Sequence, residues 1–150
     1  MKIALITDAW TPQTNGVVTT LVNVVKELVG KGHIVKVFHP YLYKNRQLPL
    51  YPDISISTNP WQMKKELETF GAESIHIATE GPLGLWAAIY CRRKKIPYTT
   101  SYHTKWPEFV QAFIPLIPKA LIYKLLKIIH GGSSSILTTN NEIKDELAKR

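Results

Sequence analysis

Short apolar runs alternate with helical patterns along most of the chain, and this alternation constrains the fold more than any other feature of the sequence. The apolar runs predict buried strands, and the apolar residues at helical spacing between them predict helices. Strands that alternate with helices are joined by right-handed crossovers and therefore lie parallel. We expect a doubly wound, mainly parallel α/β sheet with helices on both faces. The predicted strands are KIALITD, HIVKVFHP, ISIST, ESIHIAT, IPYTTSYH and SSSILTT, and the predicted helices are GVVTTLVNVVKELVGKG, PWQMKKELETFG, GPLGLWAAIYCRRKK, residues 118–130 and NEIKDELAKR.

The length and the last residues bear on domain organisation. The 150 residues fit one domain. Residues 41–60 contain several prolines and are predicted to be mostly loop with one short strand. The sequence reaches Arg150 inside a helical pattern without a cap residue. We therefore expect residues 1–150 to be one domain of a longer protein.

The charge balance favours anionic partners. The chain has 19 Lys and Arg against 11 Asp and Glu, which gives a net charge of +8. Its one cysteine, Cys91, excludes an internal disulfide and favours a reducing compartment. The first residues do not form a signal peptide, and no stretch is as long and apolar as a membrane span. These features predict a cytoplasmic location.

The first strand is followed by a loop that ends in Asn15-Gly16-Val17, at the predicted start of a helix. Ligands bind outside the carboxyl ends of parallel strands, and a helix start offers free N–H groups and a positive dipole end. Gly16 would let a ligand approach the backbone closely. The segment therefore suits a diphosphate, with Asp8 as a neighbouring substrate-binding candidate. The alternative is that Asn15 and Gly16 form only a turn and a helix cap.

The motif TEGPLG follows the strand ESIHIAT. Thr79 or Glu80 would cap the helix that begins near Pro82. Alternatively, Glu80 and the adjacent Gly81 contact a substrate hydroxyl. Capping is the preferred interpretation of this motif on its own.

The motif SYHTKWPEF follows the next strand and places four functional side chains together. Functional residues are common in loops that a rigid sheet positions, which makes His103, Lys105 and Trp106 site candidates, with Glu108 nearby. A structural role for His103 is the alternative.

The predicted helix at residues 118–130 has basic and apolar sides. Lys119, Lys124 and Lys127 lie within one arc, and leucines and isoleucines fill the opposite side. A basic amphipathic helix can lie on an anionic membrane surface. The alternative, and the preferred one for this feature alone, is a helix that covers the sheet with solvated lysines.

Several other chemistries lack their motifs. The first loop has no G-x-G-x-x-G, and His39-Pro40 stands where a dinucleotide-binding strand would end in an acidic residue. The sequence has no P-loop, no metal-spaced Cys/His cluster, no G-x-S-x-G and no nucleic-acid-binding module.

Three stretches together resemble the amino-terminal domain of family 4 glycosyltransferases of the GT-B fold. They are TDAWTPQTNGVVTTLVNVVKELVGKGHIVKVFHP, ESIHIATEGPLGLWAAIYCRRKKIPYTTSYHTKWPEFV and ILTTNNEIKDEL. The pair TEGPLG and TSYHT is most similar to the bacterial branch that glycosylates lipids and other cell-envelope acceptors. Many relatives have an acidic residue or Asn where this chain has Lys105, which leaves the acceptor open.

The resemblance implies a retaining transfer of a sugar from a nucleotide-diphosphate sugar, without a metal ion. It implies two Rossmann-like domains, of which residues 1–150 would be the acceptor-side one and inactive alone. Asn15, Gly16 and Val17 would meet the donor diphosphate, and His103 would meet the donor sugar. The acceptor would be a lipid or a glycan, and the enzyme would associate with the inner face of the membrane.

Two other functions stay open at this point. One is a sugar-nucleotide epimerase of similar architecture, for which Glu80 and Glu108 would be the acid/base carboxylates. The other is a non-catalytic α/β binding module that is complete at this length.

Overall fold

The computed structural model describes residues 1–49, 51–103, 110–111, 115–138 and 145. Its main sheet is parallel and has the strand order β2-β1-β5-β6-β7, and a separate antiparallel hairpin contains β3 and β4. The predicted doubly wound α/β class is confirmed. The elements are β1 (Lys2–Ile6), α1 (Gly16–Gly30), β2 (Ile34–Phe38), β3 (Asn45–Leu48), β4 (Tyr51–Ser57), α2 (Met63–Phe70), β5 (Ser74–Ile77), α3 (Pro82–Lys94), β6 (Thr99–Tyr102), α4 (Lys119–His130) and β7 (Ser135–Thr138).

The central strand β1 shows why the sheet needs helices on both faces. Side chains alternate across a strand, so neighbouring residues face opposite sides. Leu5 packs in a cluster with Leu21 of α1, whereas Ala4 and Ile6 pack with residues of α2, α3 and α4. Both faces of β1 are therefore covered by helices and shielded from solvent, which accounts for its continuous apolar sequence.

The strand order creates a change of direction beside β1. The chain first moves from β1 outward to β2, and it later returns to place β5 on the other side of β1. The loop after β1 and the loop after β5 therefore diverge to opposite faces. Such a switch point forms a crevice at the carboxyl ends of the strands.

The region predicted to be mostly loop contains more structure than we expected. Residues Asn45–Leu48 and Tyr51–Ser57 pair as an antiparallel hairpin, with an irregularity between Gln47 and Leu48. The predicted strand ISIST lies at the end of β4 and is confirmed. Its partner β3 was missed because β3 is largely polar and exposed. Such a strand lacks the apolar alternation that identifies a strand in a sequence.

Helix α4 packs its apolar side inward, as the sequence predicted. Ile122, Leu126 and Ile129 are buried, and two side chains from outside the helix bind its last carbonyls. The Tyr98 hydroxyl donates to the Ile129 carbonyl at 2.8 Å, and the Arg92 guanidinium donates to that of Ile128 at 3.2 Å. These bonds satisfy acceptors that a helix end leaves free.

The predicted final helix, NEIKDELAKR, lies outside the described residues apart from Asp145. Lys105, Trp106 and Glu108 also lie outside them.

Candidate functional site

The start of α1 presents free backbone donors at the carboxyl edge of the sheet. Asn15 has an extended backbone, and its side-chain oxygen accepts a hydrogen bond from the Val18 N–H at 3.0 Å. Within the described part of the chain, the N–H groups of Gly16 and Val17 have no acceptor. Asn15 is therefore a helix cap, and the cap leaves two N–H groups free for a ligand.

Gly16 borders open space. No atom lies within 4 Å of the position that a Cβ at this residue would occupy. Its backbone conformation does not itself require glycine, because φ is not positive. What the glycine provides is access to the N–H groups at the head of the helix.

Gln13 is a polar residue of this loop that our sequence interpretation missed. It is only 5% exposed, and its side-chain Nε2 has no hydrogen-bond partner. Its Oε1 lies 3.5 Å from the Asn15 Nδ2, and its backbone N–H donates to the Trp10 carbonyl. A buried amide donor without an acceptor is costly unless a water or a ligand binds it. No pattern in the sequence marks this glutamine.

The carboxylate of Asp8 joins the loop after β1 to the start of α3. Its two oxygens accept hydrogen bonds from the Leu83 N–H at 2.8 Å and the Gly84 N–H at 3.1 Å, and the Thr79 hydroxyl donates at 3.2 Å. The Asp8 N–H in turn donates to the Thr79 hydroxyl oxygen at 2.6 Å. Asp8 therefore supplies the cap of α3 from a distant part of the chain.

Burial and hydrogen bonding have opposite effects on the Asp8 carboxyl. Burial favours its neutral form, whereas the hydrogen bonds from Leu83, Gly84 and Thr79 favour its charged form. Burial dominates and raises the pKa of Asp8 from 3.8 to about 6. The group is therefore mostly ionised at pH 7 and titrates close to neutrality.

The two glycines of TEGPLG are required by close packing. A Cβ at Gly81 would overlap the Asp8 carboxyl carbon, and a Cβ at Gly84 would overlap the Thr79 carbonyl oxygen. Both glycines therefore let the start of α3 approach the loop after β1.

Glu80 does not cap α3, and that preferred interpretation of the sequence was wrong. The cap position is Gly81, which makes no side-chain cap bond, and Asp8 provides the acceptor instead. Glu80 is 6% exposed, and its Oε1 lies 3.5 Å from the Nε2 of His130 at the end of α4. Burial raises the pKa of Glu80, and His130 partly opposes the increase.

His130 extends this contact to the middle of the sheet. Its Nδ1 lies 2.9 Å from the Thr100 hydroxyl, and its ring packs edge-on against Tyr102. The chain Glu80–His130–Thr100 thus connects the β5–α3 loop, α4 and β6. Glu80 Oε1 and His130 Nε2 face each other at 3.5 Å, and neither buried atom has a hydrogen-bond partner.

His103 follows β6 at the carboxyl edge and is half-buried. Burial lowers its pKa, so the ring is neutral at pH 7, and its buried Nε2 has no hydrogen-bond partner. On the neighbouring strand β5, the ring nitrogens of His76 form hydrogen bonds with the hydroxyls of Thr99 and Ser101 of β6, each at 2.8 Å. His76 is thus satisfied, whereas His103 keeps a free nitrogen.

An aromatic cluster lies at the carboxyl end of β2. The Trp10 and His39 rings are stacked with centroids 6.1 Å apart, and Tyr41 lies 6.1 Å beyond His39. Burial lowers the pKa of His39, and its buried Nδ1 has no partner. In the sequence, His39 was notable only because it occupies the position where a dinucleotide-binding strand would end in an acidic residue.

The structure brings some of the predicted residues together and leaves others apart. Asp8 and Gly81 meet at the start of α3. His103 makes no described hydrogen bond or ion pair with the segment 15–17. Substrate contacts of Asp8, Glu80 and Gly81 stay predictions, as do the roles of Asn15, Gly16, Val17 and His103.

The described residues also bear on two other kinds of site, a metal centre and a membrane span. They contain no group of three or more His, Cys, Asp or Glu side chains arranged to hold a metal ion. None of the described helices is long and apolar enough to cross a bilayer.

Comparison with known proteins gives consistent matches. The family model described as Glycosyltransferase Family 4 matches residues 14–150. The chain is 31% identical to the alpha-monoglucosyldiacylglycerol synthase of Streptococcus pneumoniae, over 99% of this chain and 37% of that protein. It is 23% identical to a GDP-mannose-dependent alpha-mannosyltransferase of Mycobacterium tuberculosis, over 80% of this chain and 37% of that protein. A protein of the same name from Corynebacterium glutamicum is 25% identical, over 98% of this chain and 40% of that protein. The chain thus spans about two fifths of the length of these relatives.

Proposed function

The chain belongs to glycosyltransferase family 4, and we propose that it is the acceptor-side domain of a retaining glycosyltransferase of the GT-B fold. The full-length protein would move a sugar from a nucleotide-diphosphate sugar to an acceptor. A second domain would hold most of the nucleotide, so residues 1–150 alone would not catalyse transfer.

The observation that carries this proposal is the head of α1. The capped helix start leaves the N–H groups of Gly16 and Val17 free, and open space adjoins Gly16. In the transfer, the bond between the sugar and the diphosphate breaks, and negative charge grows on the departing diphosphate. Fixed N–H donors and the positive end of a helix stabilise such charge without having to reorganise. Gln13 Nε2 is a further donor in the same loop.

His103 is the proposed contact to the donor sugar. A neutral imidazole with a free ring nitrogen exchanges hydrogen bonds with hydroxyl groups and adds no charge. Its position after β6 is at the ligand-binding edge of a parallel sheet. We propose that Lys105 and Trp106, which follow His103 in the sequence, contact the acceptor.

The transfer is proposed to need no metal ion. Helix N–H groups can stabilise the charge of the departing diphosphate, and a bound cation is then not needed at the leaving group. Transfer that persists in a chelator would support this, and transfer restored only by a divalent cation would contradict it.

The proposed acceptor is a membrane lipid or an envelope glycan on the cytoplasmic side. One relative is named for a glucosylated diacylglycerol. Lys119, Lys124 and Lys127 are all exposed on the outer side of α4. Three basic residues near an anionic surface contribute roughly 3 kcal/mol, which gives weak and reversible docking.

A pair of substitutions at Gly16 tests the phosphate site. In the full-length enzyme, Gly16→Trp should lower kcat/KM for the donor at least about 100-fold, because the indole would cover the N–H groups. Gly16→Ala is the matched control, since its methyl group meets no atom within 4 Å. We expect it to retain most of the activity.

Circular dichroism and thermal unfolding would verify that both Gly16 variants fold. Normal transfer by folded Gly16→Trp would contradict the proposal. Product analysis of the wild type would separate transfer from epimerisation of the sugar nucleotide.

A further inference from the structure

A groove on the outer surface between α2 and α3 combines aromatic rings with basic side chains. Its volume is about 320 Å³. It lies along α2 and α3, and its lining includes none of the residues of the candidate site. Its lining consists of Trp61, Trp86, Ile89 and Tyr90, with Lys64, Arg93 and Lys94 at the rim.

The aromatic part of the groove is partly fixed and partly exposed. Trp86 and Tyr90 stack with centroids 5.1 Å apart and an interplanar angle of 13°. The Tyr90 hydroxyl donates to Glu68 at 3.0 Å, which fixes the pair. Trp61 stands opposite on the short turn Pro60–Gln62 and is 58% exposed, although burial of its indole would be favourable. The groove therefore presents apolar surface that gains from a partner.

The rim of the groove carries a positive surplus. Lys64 lies 4.0 Å from Glu68, which partly neutralises it. Arg93 and Lys94 are exposed and form no ion pair with any described carboxylate. An anionic partner would therefore be complementary to this rim.

We propose that the groove docks the protein onto an anionic lipid bilayer. Trp61 would enter the headgroup layer beside the Trp86–Tyr90 pair, while Arg93 and Lys94 contact lipid phosphates. Tryptophan and tyrosine rings favour the membrane–water interface, and basic residues bind its anionic headgroups. The inference rests on the proposed function only for its purpose, which is to bring the enzyme to a lipid acceptor.

This surface differs from the lysines of α4 in a measurable way. Helices α2, α3 and α4 pack on the same sheet face, so both sets of basic residues belong to one helical layer. The α4 lysines contribute charge alone, and salt screens an exposed charge. The groove adds apolar contact, which salt does not screen. Binding through Trp61 should therefore persist at high salt.

Vesicle co-sedimentation of the full-length protein tests the proposal. The probes are vesicles of phosphatidylglycerol with phosphatidylcholine, and vesicles of phosphatidylcholine alone, each at low and at high salt. Trp61→Ser should weaken binding to the anionic vesicles about tenfold at both salt concentrations. The Arg93→Gln/Lys94→Gln double variant should weaken it about thirty-fold at low salt and much less at high salt. The Gln variant of Lys119, Lys124 and Lys127 should lose only salt-sensitive binding.

Two control variants lie on α1 and at its C-terminal cap, on the opposite face of the sheet. Lys26→Gln/Lys31→Gln removes the same net charge as the groove double variant, and Val29→Ser removes an apolar side chain that is 53% exposed. Both should bind as the wild type does. Trp61→Phe should retain most of the binding lost in Trp61→Ser, which separates an aromatic contact from a folding defect.

Three outcomes would overturn the proposal. The first is that the α1 control variants weaken vesicle binding as much as the groove variants do. The second is that Trp61→Ser binds anionic vesicles at high salt as strongly as the wild type does. The third is that the wild type does not bind anionic vesicles. The last two would leave a protein partner as the occupant, since Trp, Tyr and Arg also dominate protein interfaces.

Transfer in detergent separates this inference from the proposed function. With diacylglycerol in detergent and a nucleotide-diphosphate glucose or GDP-mannose as donor, the groove variants should turn over like the wild type. Absence of transfer in the wild type would count against the proposed function and not against the vesicle result.

Discussion

The Asp8→Asn substitution should change how the stability of the protein depends on pH. The Asp8 carboxyl has a pKa of about 6 in the folded protein, against 3.8 for the free side chain. The folded state therefore binds this proton more tightly than the unfolded state does. The stability that Asp8 contributes is fully present below pH 3.8 and is lost as the pH rises through 6. At about 1.4 kcal/mol for each pH unit between the two values, the loss is about 3 kcal/mol.

Urea denaturation between pH 4 and pH 8 would measure this effect. The free energy of unfolding of the wild type minus that of Asp8→Asn isolates Asp8, because the other groups titrate in both proteins. We expect this difference to fall by about 2.4 kcal/mol from pH 4 to pH 7, because the rest of the change lies below pH 4. Asp8→Ala is the control for the hydrogen bonds. It leaves the N–H groups of Leu83 and Gly84 without an acceptor and should be less stable than Asp8→Asn by about 1–2 kcal/mol at every pH.

A difference that stays constant with pH, within about 0.5 kcal/mol, would refute the reasoning. A difference that grows as the pH rises would show that the three hydrogen bonds to the carboxylate outweigh the cost of its burial.

Three further predictions concern His103, Gly81 and His76. His103→Ala in the full-length enzyme should retain the fold and lose about 100-fold in kcat; near-wild-type transfer would make the residue structural, and the same assay should show a smaller loss for Glu80→Gln. Gly81→Ala should lower the free energy of unfolding by about 1–3 kcal/mol, since its Cβ would overlap the Asp8 carboxyl; unchanged urea denaturation would contradict this contact. Burial lowers the pKa of His76 to about 4, so its contribution is full above pH 6.5 and is lost as the pH falls through 4. As the pH falls between these limits, the free energy of unfolding from urea denaturation should decrease by about 3 kcal/mol more for the wild type than for His76→Gln. Parallel pH profiles of the two proteins would argue against this.

The sequence by itself determined the elements of the main sheet and the strand ends at which a ligand is expected. Strand β1 is recognisable because both of its faces are buried, and this requires a continuous apolar run. Helix α1 is recognisable from its apolar spacing and its Asn15 cap. These signals are local, so they can be detected without knowing what the element packs against. Hairpin strand β3 carries no such signal because most of its residues are polar and exposed.

The partners of the site residues were decided only by the tertiary structure. Asp8 caps a helix that begins more than 70 residues later, and Glu80 meets His130 from another helix. Neither pairing has a sequence signature, because both depend on the strand order that places β5 beside β1 and α4 above β6. The same order places the free N–H groups of α1 and the start of α3 on opposite sides of one crevice. Local periodicity thus specifies the elements, whereas contacts distant in sequence arise only when the sheet is assembled.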